Sequence, residues 1–536
     1  MDFRPYVCKT KTDVTMHYIV LATATITPII SLLFATILVQ GTKHLRGLVK
    51  LTKYLLIMVA ISALTGLVLT QTNMHALNLG AWHIIFRLEP LSLGLLFMVS
   101  TIGYIIVRFS ATYLQGDRRQ IAFMRRLNLA IVFVQMFVLS GNLIGIFVSW
   151  VATSIALHYL LCFYSDRKAA LFAARKKFII ARFGDACLFI AMVLLYLEFK
   201  TIDLESIVQQ LSALSSNQAP IMLEWAAVCL VIAAVFKSAQ LPFHGWILDV
   251  METPTPVSGL LHAGLLNAGP FLIIRFAYVM DVVTVAPLIL LVLGGLTALF
   301  GTIVFPSQPA IKTSLAYSSI GHMGFSLMIC GMGLYAASLL HLMAHSFYKA
   351  HAFLSSGSAI DKHRLAHLNK SDTKPIGFWN VLIGFAIPLV CYVAINTLWG
   401  GMATSNIQLF VLGAIILTAV TSYSVRVMAY GRAPILIFKT AATAGFVLFF
   451  FFFFETMMNN ILGNQVPHET QMHGLAVSMS ILMLFMFITA LFLPKLEAIM
   501  ESRNIGDKWR IYKRNGFYLH TRFDRLLNAL HPKGIQ

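Results

Sequence analysis

Basic and imidazole side chains recur inside apolar segments between residues 221 and 349, where they have the clearest capacity for chemistry in this chain. Lys237 ends one apolar run just before a Leu-Pro-Phe break, His262 lies in a second, and Lys349 lies in a third. A cation at the centre of a bilayer costs roughly 3 kcal/mol on insertion scales. Three segments that carry this cost predict a polar path for protons or ions. For Lys237, snorkelling to the membrane surface is the alternative interpretation.

The segment around residue 345 predicts a ladder of titratable groups. His341, His345 and Lys349 recur every four residues, so on a helix they share one face and span roughly 12 Å. A histidine pair at this spacing can bind a metal, but the sequence offers no intervening glutamate or third ligand. A proton or cation relay is therefore the interpretation we favour. Lys312 and His322 form a polar edge on the preceding apolar segment and belong to the predicted path.

Two earlier apolar segments contribute further candidates. His158 follows a tryptophan and a serine at four-residue spacing, and it is either hydrogen-bonded to a neighbouring carbonyl or a proton carrier. Arg182 and Asp185 lie three residues apart, so they form either a local helical ion pair or a site in which Asp185 is the carboxylate partner of Lys237. Outside the apolar segments, the sequence F-R-L-E-P at residues 86–90 predicts a local ion pair.

Composition places the chain in a membrane. It has 536 residues, of which 58% are hydrophobic and 11% charged, values that exclude an ordinary soluble domain. Apolar runs of about 20 residues can each cross a hydrocarbon core of roughly 30 Å. The expected fold is an all-α polytopic bundle of about fifteen transmembrane helices, with a break at Pro242 and a break or kink at Pro388. The predicted spans are 18–40, 51–70, 91–110, 127–140, 143–164, 177–197, 221–250 (broken), 256–280, 286–305, 311–333, 335–359, 376–399, 406–430, 434–454 and 474–493.

The formal net charge of +19 is explained by membrane topology and does not indicate nucleic-acid binding. Lysines and arginines cluster in alternate connections between spans and after the last one, and short loops rich in these residues face the cytoplasm. The prediction is a multi-pass membrane protein with its N-terminus outside and its C-terminus cytoplasmic. The first span is expected to be retained and not removed as a signal peptide. A docking surface for an acidic cytoplasmic partner is the second interpretation of this charge.

The remaining sequence features exclude several kinds of site. The six cysteines are scattered without Cys-x-x-Cys spacing, so neither an iron–sulfur nor a zinc site is supported. There is also no phosphate-binding glycine-rich loop, dinucleotide fingerprint or Ser/His/Asp arrangement outside the membrane. We therefore expect no cofactor in this chain and no catalytic activity of its own.

Three stretches, FKSAQLPFHGWILDVMETPTPVSGLLHAG, KTSLAYSSIGHMGF and HLMAHSFYKAHAFLSSGS, resemble the proton-translocating antiporter-like family over residues 86–426. That family includes the large antiporter-like subunits of respiratory complex I, the Mrp cation/proton antiporter subunits and the DabB-type subunits of bacterial inorganic-carbon accumulation complexes. The resemblance implies that Lys237 is the broken-helix lysine and Lys349 the central lysine. It also implies that four further basic residues have connecting roles: His262, Lys312, His341 and His345. Arg182 and Asp185 match the family's Arg/Asp pair.

Two departures separate this chain from the complex I members. Val151 stands where they carry a glutamate, and Asn396 stands where they carry the distal lysine. With the HAGLLNAG phrase and the NGFYLHTRFDRL tail, these departures make the chain look most like a DabB-type subunit. That resemblance implies conduction of H⁺ or Na⁺ and pairing with a large cytoplasmic, DabA-type zinc subunit similar to a β-carbonic anhydrase. Proton pumping in a respiratory NADH–quinone oxidoreductase, a Mrp-type Na⁺/H⁺ antiporter component, or a purely structural scaffold are the alternatives.

The expected domain organisation follows these features along the chain. Residues 1–85 form N-terminal transmembrane helices, and residues 86–430 form the antiporter-like translocating core. Residues 431–493 form C-terminal transmembrane helices, and residues 494–536 form a basic cytoplasmic tail that is predicted to contain an interfacial helix or a docking element.

Overall fold

The computed structural model describes residues 11–39, 41–72, 84–164, 166–213, 219–358, 378–399, 406–428, 434–467, 474–502, 506–521 and 525. Within these ranges the chain is helical, and extended pairing is limited to isolated bridges between Phe86 and Ser140 and between Asn142 and Asp203. The prediction of an all-α fold is confirmed.

Twenty α-helices cover the described part of the chain. They are α1 (Lys11–Leu38), α2 (Leu45–Thr72), α3 (Pro90–Tyr113), α4 (Gln120–Leu139), α5 (Leu143–Leu161), α6 (Lys168–Phe199), α7 (Leu204–Ser212), α8 (Ile221–Lys237), α9 (Gly245–Asp249), α10 (Thr255–Leu260), α11 (Ala268–Arg275), α12 (Ala277–Val282), α13 (Val285–Val304), α14 (Ile311–Gly331), α15 (Tyr335–Leu354), α16 (Phe378–Leu398), α17 (Ile407–Met428), α18 (Pro434–Leu462), α19 (Gly474–Ser502) and α20 (Gly506–Arg514).

Eleven helical segments in the described ranges are long and apolar enough to cross a bilayer. They are Val20–Leu38, Leu45–Gln71, Pro90–Tyr113, Gln120–Leu139, Leu143–Leu161, Lys168–Phe199, Thr255–Arg275, Val285–Ser307, Ile407–Met428, Pro434–Gln465 and Gly474–Leu493. The multi-pass fold is therefore confirmed, whereas the count of about fifteen is not. The other predicted spans correspond to α8, α14, α15 and α16, which are shorter or carry more polar side chains.

The two predicted helix breaks have different outcomes. The first is confirmed, because α8 ends at Lys237 and the chain passes through a non-helical turn before α9 begins at Gly245. At the second, α16 continues through Pro388 without interruption, so the predicted break is absent and the alternative, a kink, stays a prediction. A further irregularity follows α10, where Leu261–Leu265 forms a π-helical turn; such turns are frequent at functional sites.

The chain divides into two compact units. The first contains Met1–Ser215, Glu252–Leu266 and Ser346–Leu354, and the second contains Ser216–Met251, Asn267–His345 and Ser355–Gln536. In the first unit, α1 to α6 pack against their sequence neighbours. The predicted ion pair between Arg87 and Glu89 is confirmed at 2.9 Å. Arg87 also forms an ion pair with Glu205 at 2.6 Å, which connects this segment to α7.

In the second unit, α13 and α14 approach each other closely through glycines. A Cβ atom added at Gly301 would lie 2.5 Å from Gly321 Cα and 2.9 Å from the carbonyl oxygen of Tyr317. Both distances are far below van der Waals contact, so a side chain at residue 301 would force the two backbones apart. Small residues allow this kind of close helix packing in membrane proteins.

The C-terminal tail of the second unit is held by a partly buried ionic contact. Lys513 of α20 donates to Glu497 at 2.7 Å, and the Trp509 indole donates to the same carboxylate at 2.9 Å. Burial of the side chain opposes ionisation, but these hydrogen bonds outweigh it and hold the pKa of Glu497 below its ordinary value. The tail segment predicted from sequence thus folds as a short helix attached to the end of α19.

Glu497→Gln is expected to loosen the tail, because the uncharged amide removes the ionic part of this contact. Since the pKa of Glu497 is lowered on folding, its stabilising effect is present above the ordinary value of 4.5 and is lost as the pH falls below it. Amide hydrogen exchange of residues 506–521 should be faster in the variant at neutral pH, and the difference from wild type should vanish in acid. Asp507→Asn is the matched control, because its ion pair with Arg510 is exposed; equal acceleration in both variants would contradict the assignment.

Candidate functional site

A polar network crosses from α5 to α6 in the first unit. Asp185 is 7% exposed; it pairs with Arg182 at 2.6 Å and accepts a hydrogen bond from the Trp150 indole at 2.9 Å. The local ion pair that the three-residue spacing predicted is therefore present. The indole and the guanidinium together neutralise and orient a carboxylate that would otherwise be costly to bury.

The network continues through a residue that the sequence did not single out. Lys177 is buried, and its ammonium donates to the Ser154 carbonyl at 2.9 Å and to the Ser154 hydroxyl at 3.0 Å. Arg182 reaches the same hydroxyl at 3.3 Å. In the sequence analysis, residue 177 is the first residue of the predicted span 177–197 and has no assigned role. The spacing of Trp150 and Ser154 along one helix face was the available signal for this site.

His158 lies one turn beyond this network on α5. Its Nδ1 lies 3.3 Å from the Ala174 carbonyl oxygen, and its ring packs against Phe178 with centroids 4.8 Å apart. The hydrogen bond to a neighbouring carbonyl that the sequence allowed is therefore present. The role of His158 as a proton carrier stays a prediction.

Lys349 is the most completely buried charged residue of the first unit. Its side chain is 0% exposed, and its ammonium lies 5.5 Å from the centroid of the Tyr348 ring. His262 lies in the π-helical turn after α10, also 0% exposed, and within electrostatic reach of Lys349. The His262 ring stacks on Phe353 with centroids 4.3 Å apart. Neither ring nitrogen has a hydrogen-bond partner among the described residues.

Three histidines converge in the second unit. His322 of α14 lies with its ring centroid 5.3 Å from that of His341 and 5.1 Å from that of His345, both on α15. The His341 ring also hydrogen-bonds the backbone of His322. Among the described residues, no group of three or more His, Cys, Asp or Glu has a geometry suited to a metal. The roles of His322, His341 and His345 in a proton relay stay predictions.

The helix break after Lys237 is followed by a buried histidine, His244, which the sequence analysis did not identify as part of a site. Lys237 is partly buried at the C-terminal end of α8, where the helix dipole favours a cation. His244, just past the break, is 0% exposed, and its ring packs against Phe300, Tyr317 and His520 at centroid distances of 4.9, 6.4 and 5.8 Å. A histidine directly after the Leu-Pro-Phe break was the only sequence signal for this contact.

The remaining predicted positions are also located. Lys312 is partly buried at the second residue of α14. Val151 adjoins Trp150 on α5, and Asn396 is buried on α16. Cys330 is buried, whereas the other described cysteines are partly exposed.

Comparisons with known proteins agree with this arrangement. Residues 140–433 match the family model for the transmembrane region of NADH:quinone oxidoreductase and Mrp antiporters. A probable inorganic carbon transporter subunit, DabB2 of Halothiobacillus neapolitanus, is 34% identical over 465 residues, which are 85% of this chain and 82% of the relative. Its counterpart DabB of Hydrogenovibrio crunogenus is 38% identical over 301 residues, 56% of this chain and 57% of that protein.

A solved structure shows the same fold. A chain of the Mrp complex from Dietzia sp. DQ12-45-1b superposes with a TM-score of 0.60 at 20% sequence identity, covering 96% of this chain and 61% of the other. The resemblance expected from the three sequence motifs is confirmed. The chain therefore belongs to the NADH:quinone oxidoreductase/Mrp antiporter transmembrane family, as a multi-pass, antiporter-like membrane subunit similar to the DabB proteins.

Proposed function

We propose that this chain is the proton-conducting membrane subunit of an inorganic-carbon uptake complex. The observation that carries the proposal is the fully buried ammonium of Lys349 beside the buried imidazole of His262. An amine in apolar surroundings is costly unless it has a functional reason to be there, and relatives named as probable inorganic carbon transporter subunits supply the reason.

The proposed path uses side chains that can gain and lose a proton. In the first unit these are Lys349 and His262, with the Asp185 network beside the predicted carrier His158. In the second unit they are the cluster of His322, His341 and His345, together with Lys237 at the helix break. Imidazole suits this task, because either ring nitrogen can accept a proton while the other donates one.

The chemistry of carbon uptake is assigned to a partner. We propose that this partner is a large cytoplasmic zinc protein of the DabA type, which forms bicarbonate from CO₂, and that inward proton flow through this chain energises it. The termini would then lie outside (N) and in the cytoplasm (C). The tail helix α20 would face the partner, and its exposed Lys508 and Arg510 suit an acidic surface.

Coupling to respiration or to Na⁺ exchange is the competing proposal, since the family model covers subunits of both kinds. Purification of the complex from its native membrane separates the two. Zinc in a large soluble protein that co-purifies with this chain supports carbon uptake. Flavin and iron in the co-purifying subunits, or copurification with small antiporter subunits, would contradict it.

Lys237→Ala is expected to lower uptake of labelled inorganic carbon and proton influx together by about tenfold or more, because it removes a proton-transfer group. Both are measured in cells or vesicles that contain the assembled complex. Lys168→Ala is the control, since Lys168 is an exposed lysine at the start of α6. Wild-type uptake by the Lys237 variant would refute its role, and Na⁺-dependent but pH-independent influx in wild type would refute the proton as the transported ion.

A further inference from the structure

A carboxylate occupies a core position in the C-terminal helices of the second unit. The buried face of α18 is formed by residues at intervals of three and four: Thr440, Ala444, Leu448, Phe452, Glu455, Met458 and Leu462. On this apolar face Glu455 is 3% exposed, whereas neighbours on the other faces, such as Phe449 and Phe453, are 42% and 40% exposed. Its side chain is therefore directed into the helix packing and not toward the surroundings.

The carboxylate is incompletely paired. One oxygen accepts a hydrogen bond from Asn459, one turn further along the same helix. The other oxygen has no hydrogen-bond partner among the described residues, and no ion pair to Glu455 occurs within them. A buried carboxylate without a counter-charge is costly as an anion. We therefore expect the carboxyl group of Glu455 to bind a proton and to be able to release it.

Glu455 lies near Asn396, which stands where the complex I members carry the distal lysine. Helices α16 and α18 pack together: the Tyr392 ring lies 6.0 Å from that of Phe452, and the Trp399 indole donates to the Thr456 hydroxyl at 3.0 Å. Along the sequence, Asn396 of α16 lies between Tyr392 and Trp399. In the same way, Glu455 of α18 lies between Phe452 and Thr456. Asn396 is 5% exposed. The two buried polar residues thus occupy a similar level of adjacent helices.

A third buried polar group lies near this level. The Tyr392 hydroxyl has no hydrogen-bond partner in the described ranges. It faces α17 at Gly413, where an added Cβ would lie 2.7 Å from it. Hydroxyl, amide and carboxyl groups of α16 and α18 therefore lie at similar levels of two packed helices.

We propose that Glu455 is a proton-binding residue of the translocation path and supplies, from α18, the titratable group that is missing at Asn396 on α16. In this proposal the carboxyl group of Glu455 replaces the amine of a lysine, because each group can bind one proton and release it. The inference rests on the proposed proton conduction and extends it to a helix for which no site had been assigned.

The test measures proton influx with a pH-sensitive dye in vesicles that contain the assembled complex. Glu455→Gln is expected to lower influx by about a hundredfold, and Glu455→Asp to retain part of it. Asn396→Lys combined with Glu455→Gln should recover influx, because it returns a titratable group to the same level. A merely structural carboxylate would not be rescued in this way.

Each outcome has a defined meaning. Wild-type influx in assembled Glu455→Gln overturns the role of Glu455, whereas absent influx in wild-type vesicles overturns the proposed proton conduction itself. If Glu455→Gln fails to assemble, the wild-type complex is treated with dicyclohexylcarbodiimide, which reacts with protonated carboxyl groups in apolar surroundings. Modification of Glu455 with parallel loss of influx supports the proposal, and an unmodified Glu455 overturns it.

Discussion

Proton influx should fall by about a hundredfold when Lys349 is replaced with alanine, while the chain still assembles. Lys349 is 0% exposed and among the largest fully buried side chains. Removal of the ammonium also removes its cost of burial, whereas the shorter side chain leaves a cavity, so assembly is measured beside influx. What is lost is the proton-binding group within electrostatic reach of His262.

Two variants make this result specific. Lys349→Met preserves much of the side-chain volume and should lose influx as completely as alanine, which separates loss of the amine from creation of a cavity. Lys439→Ala removes an exposed lysine of α18 and should behave as wild type. Influx that survives in both Lys349 variants would contradict a path through this residue.

The second large effect is expected on assembly. Gly301→Ala should destabilise the chain by about 1–3 kcal/mol. The added methyl group would lie 2.5 Å from Gly321 Cα and 2.9 Å from the Tyr317 carbonyl oxygen, and both are backbone atoms that cannot move as a flexible side chain would. Separation of α13 and α14 would also displace His322, which α14 carries toward α15. Transport should therefore fall together with thermal stability in detergent.

Matched glycines provide the controls for this prediction. Gly445→Ala on α18 adds a methyl group with no atom within 4 Å and should be tolerated. Gly321→Ala faces contacts of 3.3 Å or more, so its effect should be intermediate. A melting temperature for Gly301→Ala equal to that of Gly445→Ala would show that the two helices are not packed as described.

The C-terminal tail and the helix break are linked by the structure. His520 contacts His244 directly after the break, and Phe517 packs between Phe300 and Trp509, with ring centroids 6.4 and 5.4 Å apart. A partner that binds α20 would therefore act on a segment that already contacts the proposed path. Through these contacts, we expect the proposed cytoplasmic subunit and proton flow to influence each other.

Much of this arrangement follows from local sequence. Long apolar runs specify membrane helices, because length and hydrophobicity are properties of consecutive residues. The break after Lys237 follows from a nearby proline, and the Arg182–Asp185 pair from a three-residue spacing on one helix. The candidate path residues and the family resemblance were also evident before any packing was known.

The tertiary structure decided what depends on distant residues. It brought His322 between His341 and His345 and left Lys237 partly exposed while burying Lys349. It also placed Glu455 at the level of Asn396, kept α16 continuous through Pro388, and produced the contact between His520 and His244. Hydrophobicity and helical spacing specify which segments cross the membrane and which side chains share a face. Only packing between helices far apart in the sequence determines which polar groups meet, because the cost of burying each group depends on its neighbours in space.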